Sequence, residues 1–152
     1  VLVDLGDEER FVDAVLAQFP GRRPDARSFA LEYRVLLVHA SNRVAIDLAL
    51  GTTGFEIESV ERATTWEVEP GCSIHTCSAE DLIVHKLVAG RPRDLADVDG
   101  IVTRQRESLD LGRIRTWIAG FAECKEDPDL GRPLELAIAK ARQLRGHRTA
   151  ER

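Results

Sequence analysis

The sequence predicts an α+β fold, with a small mixed or antiparallel sheet, helices at its margins and a helical segment after it. Two pairs of β-rich runs, each pair flanking a short turn, occur before residue 77. Helical patterns occupy most of the chain after residue 78. The 152 residues, 43% of them hydrophobic, are enough for one domain with a buried core. We therefore expect one α+β domain whose helices are segregated late in the chain.

The chain begins with a strand-type run and a helix. Residues 1–5 are apolar and typical of a strand, and a helical apolar pattern follows Asp7, which fits an N-cap, and ends at Pro20. The arginine-rich residues 22–27 predict a solvated loop, with contact to a phosphate as the alternative. This part of the chain is expected to form a strand-to-helix unit.

Two antiparallel hairpins follow, separated by a short helical pattern over residues 55–62. Their strands are predicted at residues 35–39 with 44–50, and at residues 64–68 with 73–76. Ser78 followed three residues later by the carboxylate of Asp81 is close to the capping-box pattern of a helix start. A helix is therefore expected from there to Gly90. Three further helices are predicted after Pro92, over residues 111–121 and over residues 133–144.

These patterns divide the chain into three parts. Residues 1–77 are predicted to form a sheet-rich core, residues 78–145 a helical part packed on it, and residues 146–152 a basic tail. Because the chain lacks a methionine and opens on a strand at Val1, we expect this core to be incomplete at its amino end.

Composition and charge exclude several classes of protein. No apolar run approaches the ~20 residues that span a bilayer, so no membrane partner is expected. A net charge of −5 does not imply general attraction to nucleic acid. Three cysteines, an odd number, indicate a reducing, cytoplasmic setting. Cys72, His75 and Cys77 lack a second ligand pair, so ordinary thiols are preferred to a zinc site.

Asp47 is unusual because it is an acid at the centre of an apolar strand. Alternation places it on one face with the small residues Ala45 and Ala49, which leaves room for a ligand or a metal ion. The alternative is an acid on the solvated face of an antiparallel strand.

Lys86 borders the apolar face of its predicted helix. Only three lysines accompany 18 arginines in the chain, so a site that needed positive charge alone would be expected to use arginine. A compact ammonium suits contact with a phosphate. The alternative is a lysine whose stem covers Leu82 while its charge stays in water.

Asp94 and Asp97 lie three residues apart at the start of the next predicted helix, with Arg91 and Arg93 just before and beside them. Carboxylates in a first turn also match the helix dipole, so local charge pairing is the alternative to a binding role. No G-x-S-x-G, Walker or G-x-G-x-x-G motif occurs.

Three segments taken in order, residues 44–48, 78–87 and 93–98, resemble the nucleotidyltransferase-like proteins of the AbiEii toxin type, in the polymerase-β-like nucleotidyltransferase superfamily. The resemblance covers roughly residues 1–120. It implies a nucleotidyltransferase-type sheet and Mg²⁺-dependent transfer of a nucleotide from a nucleoside triphosphate to a nucleic acid, such as tRNA, or to a protein. It also implies a toxin–antitoxin setting with an antitoxin partner.

The resemblance assigns a role to each candidate residue. Asp47 matches the third acid of a two-metal site and is expected to be catalytic and to bind metal. Lys86 is expected to be catalytic and to contact the nucleotide phosphates. Arg93, Asp94 and Asp97 are expected to order the helix behind Lys86 or to help bind nucleotide.

The family's Gly-Ser helix start and Asp-x-Asp pair are missing from the sequence. We expect the Asp-x-Asp pair just before Val1, and enzymatic activity depends on it. The alternative is a non-catalytic member of the fold that acts as a protein-binding regulatory module. It rests on the missing pair and on residues 56–81, where seven acids accompany one arginine. A third hypothesis is RNA binding by the arginines of the tail, residues 142, 145, 148 and 152.

Overall fold

The computed structural model describes the backbone of residues 1–150 and the side chains of residues 1–144. The chain forms two compact units, Val1–Arg62 and a second that begins at Ala63. The side chains of the predicted basic tail lie outside the described residues. So do the side chains of three of the four arginines on which the RNA-binding hypothesis rests. Within the described residues, no helix is long and apolar enough to span a membrane.

The first unit is a hairpin flanked by helices. Its elements are α1 (Glu8–Leu16), α2 (Ala26–Tyr33), β1 (Val35–His39), β2 (Ala45–Ala49) and α3 (Gly54–Glu61). The strands β1 and β2 are antiparallel, with Leu36 opposite Leu48 and Val38 opposite Ile46. The predicted amino-terminal strand is reduced to a single parallel bridge between Leu2 and Gly51.

The core of this unit lies beneath β1. Leu36 and Val38 are buried, as the alternation of a half-buried strand requires, and Val12 of α1 packs in the same cluster. The helix α2 was not predicted, and its first residues fall in the expected loop. Its buried positions are the alanines Ala26 and Ala30, so it carries no stripe of large apolar residues for a sequence pattern to reveal.

The second unit is a hairpin followed by a helical array. Its elements are β3 (Thr64–Glu69), β4 (Cys72–Thr76), α4 (Ala79–Ala89), α5 (Pro92–Gln105), α6 (Leu111–Lys125) and α7 (Arg132–Ala150). The helix α4 packs against α5 and α6, and α5 packs against α7. Ile83, Leu87, Val98, Ile114 and Leu134 are among its buried side chains. The predicted α+β class is confirmed, and its sheets in the described chain are two separate two-stranded hairpins.

The start and the end of α4 follow from local sequence. The Ser78 hydroxyl accepts a hydrogen bond from the backbone N–H of Asp81, 3.1 Å away, which satisfies one of the free donors of the first turn. Gly90 ends the helix with a φ of +64°, a conformation that glycine adopts without the steric cost of a Cβ. Pro92 then occupies the first turn of α5, where its missing N–H is not needed.

Candidate functional site

Lys86 is the centre of a four-residue ion-pair cluster between α4 and α5. Its Nζ donates to Asp94 Oδ1 at 2.9 Å and to Asp97 Oδ2 at 2.7 Å. Arg91 Nε donates to the other oxygen of Asp94 at 2.7 Å. The structure therefore brings together three of the five candidate residues, and it adds Arg91 to them. We call Lys86, Arg91, Asp94 and Asp97 the lysine cluster.

The turn between the two helices positions the lysine cluster. Lys86 lies in the last turn of α4, and Gly90 lets the chain reverse within a few residues. Asp94 lies in the first turn of α5 and Asp97 one turn later, so spacing by three places both on the side that meets Lys86. The sequence located each of these residues, but the contact between them depends on the angle of this turn.

The two carboxylates differ in their access to water. The Asp94 side chain is 9% exposed and that of Asp97 is 49% exposed, while Lys86 is 27% exposed. Asp94 is therefore a fixed, nearly buried partner. Asp97 lies at the solvent side of the lysine cluster, where an ion pair is weakened by water and salt.

The opposite charges of the lysine cluster stabilise each other's ionised forms. The hydrogen bond from Lys86 lowers the pKa of the Asp94 carboxyl most, and the hydrogen bond from Arg91 lowers it further. The hydrogen bond to Asp97 raises the pKa of the Lys86 ammonium most, and the hydrogen bond to Asp94 raises it further. Lys86 is therefore charged at neutral pH and cannot serve as a neutral general base there. It can act only as a positive charge and a hydrogen-bond donor.

Arg93 lies outside the lysine cluster. It is exposed in the first turn of α5, between Pro92 and Asp94. The structure therefore places its guanidinium near the start of the same helix but without the fixed geometry of Lys86.

Asp47 lies in the first unit, on the exposed face of β2 with Ala45 and Ala49. Its side chain is 65% exposed, and its Oδ1 accepts a hydrogen bond from Arg22. The alternation on which its prediction rested is confirmed, including the small neighbours. The carboxylate, however, meets a guanidinium in this structure.

A buried ion pair in the second unit was missed by the sequence analysis as a feature of its own. Arg113 of α6 donates to Asp81 Oδ1 through Nε at 3.1 Å and through Nη2 at 3.0 Å. The Asp81 side chain is 1% exposed and that of Arg113 is 16% exposed. Asp81 had been noted only as the carboxylate of a helix start. No sequence signal links it to Arg113, because the two residues are 32 positions apart.

The described residues do not fit the expected two-metal site. Such a site needs several carboxylate oxygens around the ions. Asp47 supplies one carboxylate, and it is bound to Arg22. Within residues 1–144, no group of three or more His, Cys, Asp or Glu side chains is arranged to hold a metal ion. No chemical step is therefore assigned to a metal held by these residues.

A family model described as "Nucleotidyl transferase AbiEii toxin, Type IV TA system" matches residues 3–151. The chain belongs to the AbiEii family. No match was found among curated protein sequences. Membership confirms the resemblance that residues 44–48, 78–87 and 93–98 suggested, and it extends over nearly the whole chain. The AbiEii family consists of nucleotidyl transferase toxins of type IV toxin–antitoxin systems, so nucleotidyl transfer and a toxin–antitoxin setting are the general functional class.

Proposed function

We propose that this protein transfers a nucleotide from a nucleoside triphosphate to a tRNA or protein acceptor, in the cytoplasm. The observation that carries the proposal is the match of the AbiEii family to residues 3–151. In this reaction an acceptor oxygen attacks the α-phosphorus. The acceptor loses its proton, the bond to the β-phosphate breaks, and pyrophosphate leaves. The protein must hold the charged polyphosphate in place while this exchange occurs.

Lys86 is our proposed contact to the nucleotide phosphates. An ammonium has three N–H donors, and Asp94 and Asp97 receive two of them. A phosphate oxygen can take the third, and it can also replace the more exposed carboxylate, that of Asp97. A raised pKa keeps the group positive, and the partial exposure of its side chain lets an anion approach.

The other residues of α5 support this contact in different ways. Asp94 is held by both Arg91 and Lys86, so its proposed role is to position the ammonium. Asp97 is exposed and acts as the counterion that an incoming phosphate replaces. Arg93, in the same turn, is proposed to approach the outer phosphates from the solvent side.

The proposal keeps Asp47 as one ligand of the divalent metal that the AbiEii family implies. Its exposed position on β2, between two alanines, supports this role. Arg22 would have to leave the carboxylate first. The remaining ligands would come from an Asp-x-Asp pair of the kind that the resemblance implies, and the antitoxin is the expected protein partner.

Isothermal titration calorimetry of ATP, GTP, CTP and UTP, with Mg²⁺, tests the lysine cluster. Lys86→Gln should weaken binding of the preferred nucleotide about tenfold or more, because it removes a charged hydrogen bond. Lys140→Gln is the matched control, because Lys140 forms an exposed bond of 2.6 Å to Asp99. Equal affinities of the two variants would refute the role of Lys86.

Asp97→Asn separates a phosphate contact from a purely structural tie. If a phosphate replaces Asp97, the variant should bind nucleotide more tightly, because the competing charge is gone. If Lys86 only joins α4 to α5, the variant should lose stability and keep its nucleotide affinity. Transfer from a labelled triphosphate to tRNA or protein, measured on the same variants, then connects binding with the reaction.

Asp47→Asn tests the metal ligand. It should abolish the Mg²⁺ dependence of nucleotide binding while leaving metal-free binding nearly unchanged. Unaltered Mg²⁺ dependence would remove Asp47 from the site. No binding of any nucleotide, with or without Mg²⁺, would favour the second candidate, a non-catalytic protein-binding module.

A further inference from the structure

The hairpin of β3 and β4 exposes large apolar side chains. Trp66 is 64% exposed, Val68 is 59% exposed and Ile74 is 49% exposed. Trp66 and Ile74 are directly opposite in the antiparallel register, and Val68 follows at a β-bulge. Three large hydrophobic residues this close together on an exposed hairpin form an apolar patch that is typical of an interaction surface. We call Trp66, Val68 and Ile74 the hairpin patch.

The edges of the hairpin are open as well as its surface. In the described part of the chain, β3 and β4 pair only with each other. A two-stranded sheet is marginally stable alone, and each outer edge carries backbone N–H and C=O groups that can pair with another strand. An extended peptide that adds to such an edge gains main-chain hydrogen bonds and places alternate side chains on the apolar surface.

A groove within the second unit continues the hairpin patch. It has a volume of about 460 Å³, and its wall includes Trp66 and Thr76 of the hairpin with Leu82 and Ile101 of the helices. This space is large enough for one or two side chains of a bound segment. The hairpin thus offers a strand edge, an apolar surface and an adjoining pocket.

The negative charge around the hairpin patch favours a basic binding partner. Residues 63–85 contain four acids, three of which are not buried, and no lysine or arginine. Glu67 and Glu69 lie on β3 itself, and Glu80 lies in the wall of the groove together with one base, Arg104. A basic segment is attracted to this surface, whereas a second copy of the chain would bring the same glutamates against each other.

We propose that the β3–β4 hairpin binds an extended, basic segment of a partner protein as an added strand. Alternate apolar side chains of the segment cover the hairpin patch, and one of them enters the groove. Basic side chains of the same segment meet the glutamates of β3 and Glu80. The proposal concerns residues other than those of the lysine cluster and does not depend on nucleotidyl transfer.

Fluorescence polarisation with a defined probe tests the proposal. The probe is a labelled ten-residue peptide of alternating lysine and valine, with a glutamate–valine peptide as its charge control. We expect saturable binding of the basic peptide at micromolar concentrations and none of the acidic one. N-methylation of alternate backbone nitrogens should abolish binding, because it removes the donors that pair with a strand edge. Equal binding of both peptides, or indifference to N-methylation, would overturn strand addition.

Variants of the protein locate the binding surface. Trp66→Ser with Ile74→Thr should weaken the basic peptide about tenfold or more, and Glu69→Lys, which leaves the apolar residues in place, should weaken it several-fold. Leu136→Ser removes a residue that is 62% exposed on α7 and is the matched control. Unchanged affinity in both hairpin variants would refute the proposal. Dimerisation lost with Trp66 in sedimentation velocity would identify a second copy as the occupant and refute it equally.

Discussion

The ion pair between Asp81 and Arg113 is the interaction whose loss we expect to cost the second unit most. Both groups lie in the helical core, where α4 meets α6, and the carboxylate is 1% exposed. Replacing Arg113 with methionine keeps much of the side-chain volume and removes the charge. Asp81 then lies in a buried position without the guanidinium that compensates its carboxylate.

The expected size follows from this burial. Removing one partner of a buried ion pair costs about 3–5 kcal/mol, because the remaining charge stays desolvated. For a chain of this length, a loss of that size lowers the Tm by roughly 6–20 °C. Changing both residues together, with Asp81→Leu and Arg113→Met, should recover much of the loss, because no buried charge is left behind.

Urea unfolding followed by far-ultraviolet circular dichroism at pH 7 measures these free energies for both single variants and the double variant. Arg115→Met is the control, since Arg115 lies two residues further along α6 and pairs with Glu135 at 2.8 Å, with both side chains about half exposed. It should shift the urea midpoint only slightly. If Arg113→Met shifts the midpoint no more than Arg115→Met does, the buried pair does not have the stabilising role assigned to it.

Three further predictions concern single residues. Burial, and to a lesser extent the charge of Asp81, raises the pKa of the Cys77 thiol. Iodoacetamide should therefore modify Cys77 more slowly than the exposed Cys72, which peptide mass spectrometry can measure. Gly90→Ala should lower the free energy of unfolding by about 1 kcal/mol in urea, because φ at this position is +64°. A hydrogen bond from Arg34 lowers the pKa of Glu8, so the stability from this pair should be complete above the unfolded pKa of about 4.3 and lost as the pH falls through the lower folded value. Glu8→Gln should flatten that part of the pH profile.

The sequence predicted the elements with strong local signals. Both hairpins and α4 were found because their alternation, turns and caps lie within a few residues of one another. The helix α2 was missed because Ala26 and Ala30 pack closely without forming an apolar stripe. Burial of Asp81 could not be predicted either, because it depends on packing against α6, whose Arg113 is 32 positions away in the sequence.

The candidate site divides in the same way. Alternation along β2 predicted the face and the neighbours of Asp47, but its contact with Arg22 joins residues 25 positions apart. Lys86, Asp94 and Asp97 were each selected for their chemical type and spacing. Their hydrogen bonds required the sharp turn at Gly90, and no pattern within either helix specifies the angle of that turn.

The proposed phosphate contact requires that Lys86 be held by neighbouring side chains and still be open to a substrate. Asp94 is nearly buried and is held from its other oxygen by Arg91, so it is the fixed partner of Lys86. Asp97 is half exposed, and its charge is partly screened by water. In the proposed function, a triphosphate, which carries more negative charge than one carboxylate, replaces Asp97 without disturbing Asp94. Exchange of the outer counterion, with the inner one unchanged, would then let Lys86 bind a phosphate while α4 and α5 stay joined.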